Sequence, residues 1–342
     1  MKTYTPQLDF FETEKAIKLT KDTFEQELAK RLRLLRVTAP KFLKVGTGLQ
    51  DDLAGTQVPV AFHTTFIPEK IEIVHSLAKW KRYTLWKHKF SPDTGLYTDM
   101  DAIRKDEEID DIHSIYVDQW DWERVILPKD RTLDFLKKIV AQIYESLLTT
   151  QEIVESKFSK LEESSLFALP KSIFFIHSEE LEDLYPQLSP KEREREITKE
   201  KKAVFLIGIG HPLKSGEPHD LRAADYDDWS TETEAGKKGL NGDILVWDSI
   251  REEVLELSSM GIRVDAKALD KQLEHMGLSE RRSLEFHKAV LDGKMCLSIG
   301  GGIGQSRLCQ FLLQKAHIGE VQSSLWPEKI EQECAAKEIL LL

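Results

Sequence analysis

The sequence predicts an α+β fold. Helical apolar periods and short apolar runs succeed one another without regular alternation, which disfavours a doubly wound parallel sheet. With 41% hydrophobic and 31% charged residues, the 342-residue chain has the composition of a globular protein with ample core. No internal repeat, low-complexity tract or flexible linker divides it. At about 150 residues per domain, length alone permits two domains or one large one.

Residues 20–36 place Phe24, Leu28, Leu32 and Leu35 at helical spacing, and Pro40 stops any continuation, so an amphipathic helix leads into a strand. The run VGTGLQDDLAG at 45–55 mixes glycine with polar groups and reads as a loop. Over 71–90 a strand, IEIV, precedes a basic, tryptophan-bearing helix. The acidic stretch 99–111 reads as a connection into the alternating strand IHSIYVDQWDWE. Leu133, Leu136, Val140, Ile143 and Leu147 mark a long helix over 132–158 with one buried face. Apolar runs at 173–176, 203–209, 244–247 and 254–257 read as strands, 191–202 as a solvated helix, and 307–313 as a helix packed on the sheet.

A net charge of −11, from 48 basic and 59 acidic side chains, argues against a general nucleic-acid binder, whose affinity rests on Lys and Arg neutralising phosphates. Cys296, Cys309 and Cys334 form no CxxC pair and are odd in number, against both a disulfide framework and a zinc knuckle. They fit a reducing compartment. The longest apolar stretch, 203–209, is far below the ~20 residues of a membrane span, and the amino-terminal stretch lacks an apolar signal core. A cytoplasmic protein with no membrane contact is expected. The common nucleotide and hydrolase motifs fail: Gly208 and Gly210 lack a third glycine at 213, and no GxxxxGK[ST], HExxH or GxSxG occurs.

Four clusters remain. Gln119, Asp121 and Glu123 alternate along one strand and share a face, opposite Tyr116, Asp118, Trp120 and Trp122. The plain alternative is an edge strand with that polar face in water. EIVHSLAKWKR sets Lys79, Lys81 and Arg82 beside Ser76, suited to an anion or simply a solvated helix face. LNGDILVWDSIREEVLELSSMGIRVD combines Asp243 and Glu256 with Ser258 and Arg263. Two such carboxylates on adjacent strands suit Mg2+, which prefers oxygen ligands, while solvated strand-end charges are the plain alternative. IGGGIGQSRL is a glycine run opening a helix that bears Arg307, where bare backbone admits a ligand or makes a tight turn.

In chain order, these segments resemble the three signature motifs of class II aminoacyl-tRNA synthetases, most closely the aspartyl and asparaginyl enzymes. LLRVTAPKFL, with Pro40, is similar to motif 1, used in dimerisation. AIRKDEE with HSIYVDQWDWE resembles motif 2, and IGGGIGQSRL motif 3. The strings HSLAKWKR, YVDQWDWERV, DYDDWST, GLNGDILVW, ELSSMGIRVD and IGGGIGQSRL are closer still to the ammonia-dependent aspartate–ammonia ligases, the asparagine synthetase A family, from residue 1 to about Pro327. Lys105 stands where that family commonly has proline and Asp52 where it commonly has asparagine; the tail at about 328–342 looks unrelated.

The resemblance implies a class II antiparallel sheet flanked by helices, one catalytic domain spanning 1–342, and a homodimer. It implies amidation of L-aspartate with ammonia, using ATP and Mg2+, through a β-aspartyl adenylate that yields AMP and pyrophosphate. Arg104 and Arg307 then face phosphate; Glu123 and Arg263 belong with the nucleotide, and Asp243 and Glu256 with Mg2+. Ser76, Lys81, Gln119, Asp121, Asp227 and Ser258 line the aspartate site. Asp51 is expected near the reacting carbon, binding ammonium and accepting its proton, or else capping its own loop. Two other readings remain: a relative that charges tRNA, and a non-catalytic paralogue binding AMP or asparagine.

Overall fold

A computed structural model describes residues 4–51, 53, 57–162, 168–233 and 236–342. In order the elements are α1 (Phe10–Leu32), β1 (Leu34–Arg36), β2 (Phe42–Lys44), β3 (Ala61–Phe62), β4 (Ile71–Ile73), α2 (Ala78–Lys87), β5 (Gly95–Ile103) and β6 (Tyr116–Val125). There follow α3 (Leu133–Lys157), α4 (Ser159–Glu162), β7 (Phe174–His177), α5 (Ser178–Leu184), α6 (Pro190–Lys201), β8 (Ala203–Ile207), β9 (Asn241–Asp248) and β10 (Glu253–Ile262). The chain closes with α7 (Ala266–His275), α8 (Glu285–Leu291), β11 (Ser298–Gly304), α9 (Gln305–Leu312) and α10 (Glu328–Ala336).

Eight strands form one sheet in the order β1-β5-β6-β11-β10-β9-β8-β7, with β2-β4-β3 as a small second sheet. Pairing is antiparallel from β5 to β8, and only the rim pairs β1–β5 and β7–β8 are parallel. Strand β6 is therefore internal, and its two faces have different covers. Trp120 and Trp122 are fully buried in the main core with Phe24 and Leu28 of α1 and Leu136 and Val140 of α3. Burying aromatic surface of this size is a main stabiliser of the sheet–helix layer. Gln119, Asp121 and Glu123 look out of the opposite face, toward α2 and the segment between β8 and β9. The edge-strand alternative does not hold.

Three helix and strand assignments differ here from the sequence expectations, and the glycine run and the tail, described below, differ as well. Helix α1 begins ten residues before the expected 20, at a capping box in which Asp9 accepts from the Glu12 N–H and the Glu12 carboxylate accepts from the Asp9 N–H. It ends at Leu32, so Leu35 lies on β1 and is largely exposed. Residues 99–103, expected as part of a connection, belong to β5: Asp99 and Asp101 alternate with buried Met100 and Ala102, and their outward charges pair with Arg36 and Lys41. The helix expected to be solvated, α6, buries Arg193, Glu194, Ile197 and Thr198, because Glu182 and His219 supply partners for its charges. Among the described residues, no helix is long and apolar enough to cross a membrane.

Candidate active site

A cavity of about 340 Å³ opens on the polar face of the sheet, over β6, β10 and β11. That is within the usual range for small-molecule sites. Its floor depends on the glycine run, which is not a loop before a helix but the strand β11 itself. Gly300, Gly302 and Gly304 pair with Glu123, Asp121 and Gln119, and directly opposed residues of an antiparallel pair share a face. A Cβ on Gly302 would lie 2.3 Å from Gln119 Oε1, and one on Gly300 only 1.9 Å from Glu123 Oε2. The strand must be bare on that face because the polar row of β6 leans over it.

At one end of the cavity, buried charges alternate. Lys81 Nζ donates to Asp121 Oδ1 at 2.6 Å and to the Gly301 carbonyl at 2.9 Å, while the Leu77 N–H donates to Asp121 Oδ2. Arg263 lies between two carboxylates, bonded to Glu123 at 2.8 Å and to Asp227, and Ser298 donates to Glu123 at 2.7 Å. Burial pushes the Lys81 ammonium below its ordinary pKa despite Asp121, and pushes the Asp227 carboxyl up despite Arg263. Burial also acts against Arg263, but Glu123 and Asp227 outweigh it and keep the guanidinium charged. Lys79, Lys81 and Arg82 are all buried, so the solvated-face alternative for α2 fails; Arg82 instead donates to the Cys296 and Val264 carbonyls.

The other end gathers cationic groups. Arg307 of α9 donates to the Glu256 carbonyl at 3.1 Å and lies 2.8 Å from His113 Nε2. The opposite ring nitrogen is 2.9 Å from Asp110. That pairing assigns the His113 proton to Nδ1, leaving Nε2 to accept from the guanidinium. Arg104, just after β5, donates to the His75 carbonyl at 3.4 Å. Asp243 on β9 and Glu256 on β10 stand on adjacent strands, and both Asp243 oxygens accept from Arg222. Burial pushes the Asp243 carboxyl up to about 7, and Glu256 adds to this against Arg222. Neither acid reads as a freely solvated strand-end charge, since Asp243 is buried and Glu256 faces the cavity.

Eleven of the thirteen expected site residues line the cavity: Asp51, Ser76, Lys81, Arg104, Gln119, Asp121, Asp227, Glu256, Ser258, Arg263 and Arg307. Glu123 and Asp243 do not reach it and act through Arg263 and Arg222. Asp51 caps its own loop, accepting from the Leu53 N–H at 2.9 Å, and is nonetheless in the cavity wall. Asp52 lies outside the described residues. Sequence reasoning missed Arg222, Tyr226, His113 and Glu107, which also line the cavity. Arg222 stands in DLRAADYDDW, three residues before the first acid of DYDDW, and a lone arginine there carries no pattern of its own.

The sequence profile of the aspartate–ammonia ligase family matches residues 11–338. The chain belongs to that family. It is 52% identical over 340 residues to the aspartate–ammonia ligase of Parabacteroides distasonis, covering 99% of this chain and 97% of that one. To the aspartate–ammonia ligase of Clostridium perfringens strain SM101 it is 53% identical over 342 residues, covering 100% and 98%. The family match runs past Pro327, so most of the tail that looked unrelated belongs to the ligase, including α10 with its buried Cys334. Among solved structures, the asparaginyl-tRNA synthetase of Pyrococcus horikoshii complexed with asparaginyl-adenylate has a TM-score of 0.63 at 16% identity, covering 92% of this chain and 70% of that one. The aspartyl-tRNA synthetase of Entamoeba histolytica has a TM-score of 0.61 at 12% identity, covering 91% and 57%. The ligase thus has the fold of the class II aspartyl and asparaginyl synthetases, a mixed sheet flanked by helices.

Proposed function

We propose that this cavity joins L-aspartate and ammonia into L-asparagine with ATP, through a β-aspartyl adenylate whose formation releases pyrophosphate and whose aminolysis releases AMP. A carboxylate resists ammonia because its charge repels a nucleophile and hydroxide leaves poorly. Attack of the β-carboxylate on the α-phosphorus forms the mixed anhydride and expels pyrophosphate. Ammonia then attacks the carbonyl carbon, AMP leaves, and one proton is lost from nitrogen. The observation that carries this reading is the division of one cavity into a zwitterion-matching end, Lys81 with Asp121 and Asp227 with Arg263, and an arginine end, Arg104 with Arg307.

In this reading Lys81 and Ser76 hold a carboxylate of aspartate, and Gln119, Asp121 and Asp227 its remaining polar groups, with Ser258 beside them. Arg104 and Arg307 meet the phosphates, where a planar guanidinium reaches two oxygens at once. Such fixed donors act on charge that grows in the transition state. Glu123 keeps Arg263 in place against Asp227, which sets this pair at the amino-acid end and not with the nucleotide as expected. Asp51 binds ammonium and accepts its proton, since only the free amine attacks. Glu256 in the cavity wall would hold Mg2+, whose usual protein ligands are one or two carboxylates beside substrate phosphates; Asp243, expected as the second ligand, would join it only on releasing Arg222, which now takes both its oxygens. The chemistry of the donors suits a hard cation, since Glu256 and Asp243 offer carboxylate oxygens from adjacent strands. Bound there, the ion would neutralise phosphate oxygens.

The chain works as one catalytic unit, paired as a homodimer in the cytoplasm. Exposed Leu35 at the β1 rim, Phe42 and Phe66 offer apolar surface to a second copy, and the three unbonded cysteines fit a reducing compartment. The test is incubation with ATP, aspartate and ammonium, identifying the amide by mass and the phosphorus products by NMR. Asparagine with AMP and pyrophosphate is expected; ADP and phosphate would overturn the adenylate. Parallel reactions with glutamine and with tRNA should give no faster amide and no charged tRNA.

A further inference from the structure

Behind the amino-acid end of the cavity lies a second buried charged cluster that the proposed chemistry does not use. Asp225 is fully buried, and its Oδ2 accepts from Lys79 Nζ at 2.9 Å, His287 Nε2 at 2.9 Å and Arg281 Nη1 at 3.3 Å. Lys79 and His287 are themselves buried. Burial alone would raise the Asp225 carboxyl, yet Lys79 and His287 hold it below the usual carboxylate range.

The groups that converge here come from three segments that build the cavity. Asp225 lies between Arg222 and the pair Tyr226 and Asp227, all in the cavity wall. Lys79 lies on α2 between Ala78 and Lys81, which line the cavity while Lys79 points away from it. His287 on α8 supports the loop that ends in Asp51: Gly48, at φ +74°, comes so close that a Cβ there would be 3.0 Å from His287 Nδ1. At the arginine end, Arg307 is held from β10 through the Glu256 carbonyl.

We propose that Asp225 is a positioning residue for aspartate: by drawing Lys79 and His287 to one carboxylate, it fixes the spacing between Lys81, Asp227 and Asp51. The inference rests on the reading of the cavity given above. Without the carboxylate, two or three buried cationic or polar donors face one another uncompensated. The segment 221–227 and α2 then separate, and the two ends of the amino-acid site lose register while Arg307 keeps its own support on β10. A misplacement near 1 Å is enough to impair a site by orders of magnitude.

The test compares wild type with Asp225→Asn, Lys79→Met and His287→Gln, measuring KM for aspartate, KM for ATP, kcat and melting temperature. Asp225→Asn should raise KM for aspartate by about tenfold or more while KM for ATP stays within about threefold. Lys79→Met and His287→Gln keep the carboxylate and should shift the same constant in the same direction by less, and they carry the test if Asp225→Asn does not fold. Folded variants with a lowered melting temperature and unchanged KM for aspartate, or with both KM values raised alike, would overturn the proposal by showing a purely structural tie. Failure of wild type to form asparagine would overturn the functional reading instead.

Discussion

Replacing Gly302 by alanine puts a methyl group where the cavity floor has room only for hydrogen. Its Cβ would lie 2.3 Å from Gln119 Oε1, 2.9 Å from Gln119 Cδ and 3.1 Å from Asp121 Oδ1. Heavy atoms do not approach within 3.0 Å of a Cβ, so the Gln119 amide must retreat by about 0.7 Å or more. That amide is the end of a flexible side chain facing the cavity, so the side chain turns away and the strands stay together. A displacement of this size predicts a fall in kcat/KM on the order of 10–10², equal to about 1.4–2.7 kcal/mol of transition-state stabilisation. Thermal unfolding should move by only a few degrees. Gly300→Ala, two residues earlier on the same strand, should behave oppositely. Its Cβ would meet Glu123 Oε2 at 1.9 Å and Arg263 Nη2 at 2.7 Å. Glu123 is fully buried and held by Arg263 and Ser298, so nothing can yield, and overpacking at or above the usual ~1–3 kcal/mol should cost the fold. Steady-state asparagine formation beside thermal denaturation separates the two effects. Activity of Gly302→Ala within about threefold of wild type, or equal loss of stability in both variants, would refute this account of the glycine strand.

Arg104→Ala should lower kcat/KM by about 10²–10³, the usual effect of losing one preorganised donor; a drop under about tenfold contradicts its placement on phosphate. Asp51→Asn retains an oxygen for the Leu53 N–H and so should fold normally, but kcat for the ammonia-dependent step should fall by about 10²–10⁴ if the carboxylate takes the proton. Full activity would reduce Asp51 to a turn residue. Burial pushes Asp248 up to about 6 against the pull of Arg251. The folded protein therefore keeps a proton that the unfolded chain releases above about pH 4. This component of stability is lost as pH rises from about 4 to 6 and is level beyond. In urea unfolding, wild type should lose up to about 3 kcal/mol more than Asp248→Asn across that window. Parallel pH profiles would count against the assignment.

The long core helix and the strands β6, β8, β9 and β10 were largely legible, since apolar period and length report local geometry, whereas the glycine strand β11 has no side-chain pattern to read. The helix over 132–158 coincides with α3 to within a residue at each end, and the run at 203–209 contains β8. The start of α1 was missed although Asp9 and Glu12 spell a capping box, because the apolar period from Phe24 onward drew the boundary inward. β5 was missed because its acids disguise a period of two, and what makes them tolerable in a strand is Arg36 and Lys41, more than fifty residues away.

At the site, the sequence by itself determined which residues could take part: the polar row of β6, the glycines opposite it and the arginines at either end. Period two put Gln119, Asp121 and Glu123 on one face whatever the surroundings, because successive strand side chains alternate. Only the tertiary structure decided whether that face met water or partners. Burial of a charge depends on an opposite charge from distant chain, as Lys81 finds in Asp121 and Arg263 in Glu123 and Asp227. The same pairing left Glu123 and Asp243 behind the cavity and brought Arg222 and His113 into it. Local sequence sets side-chain direction, but desolvation is settled by what the completed fold places opposite.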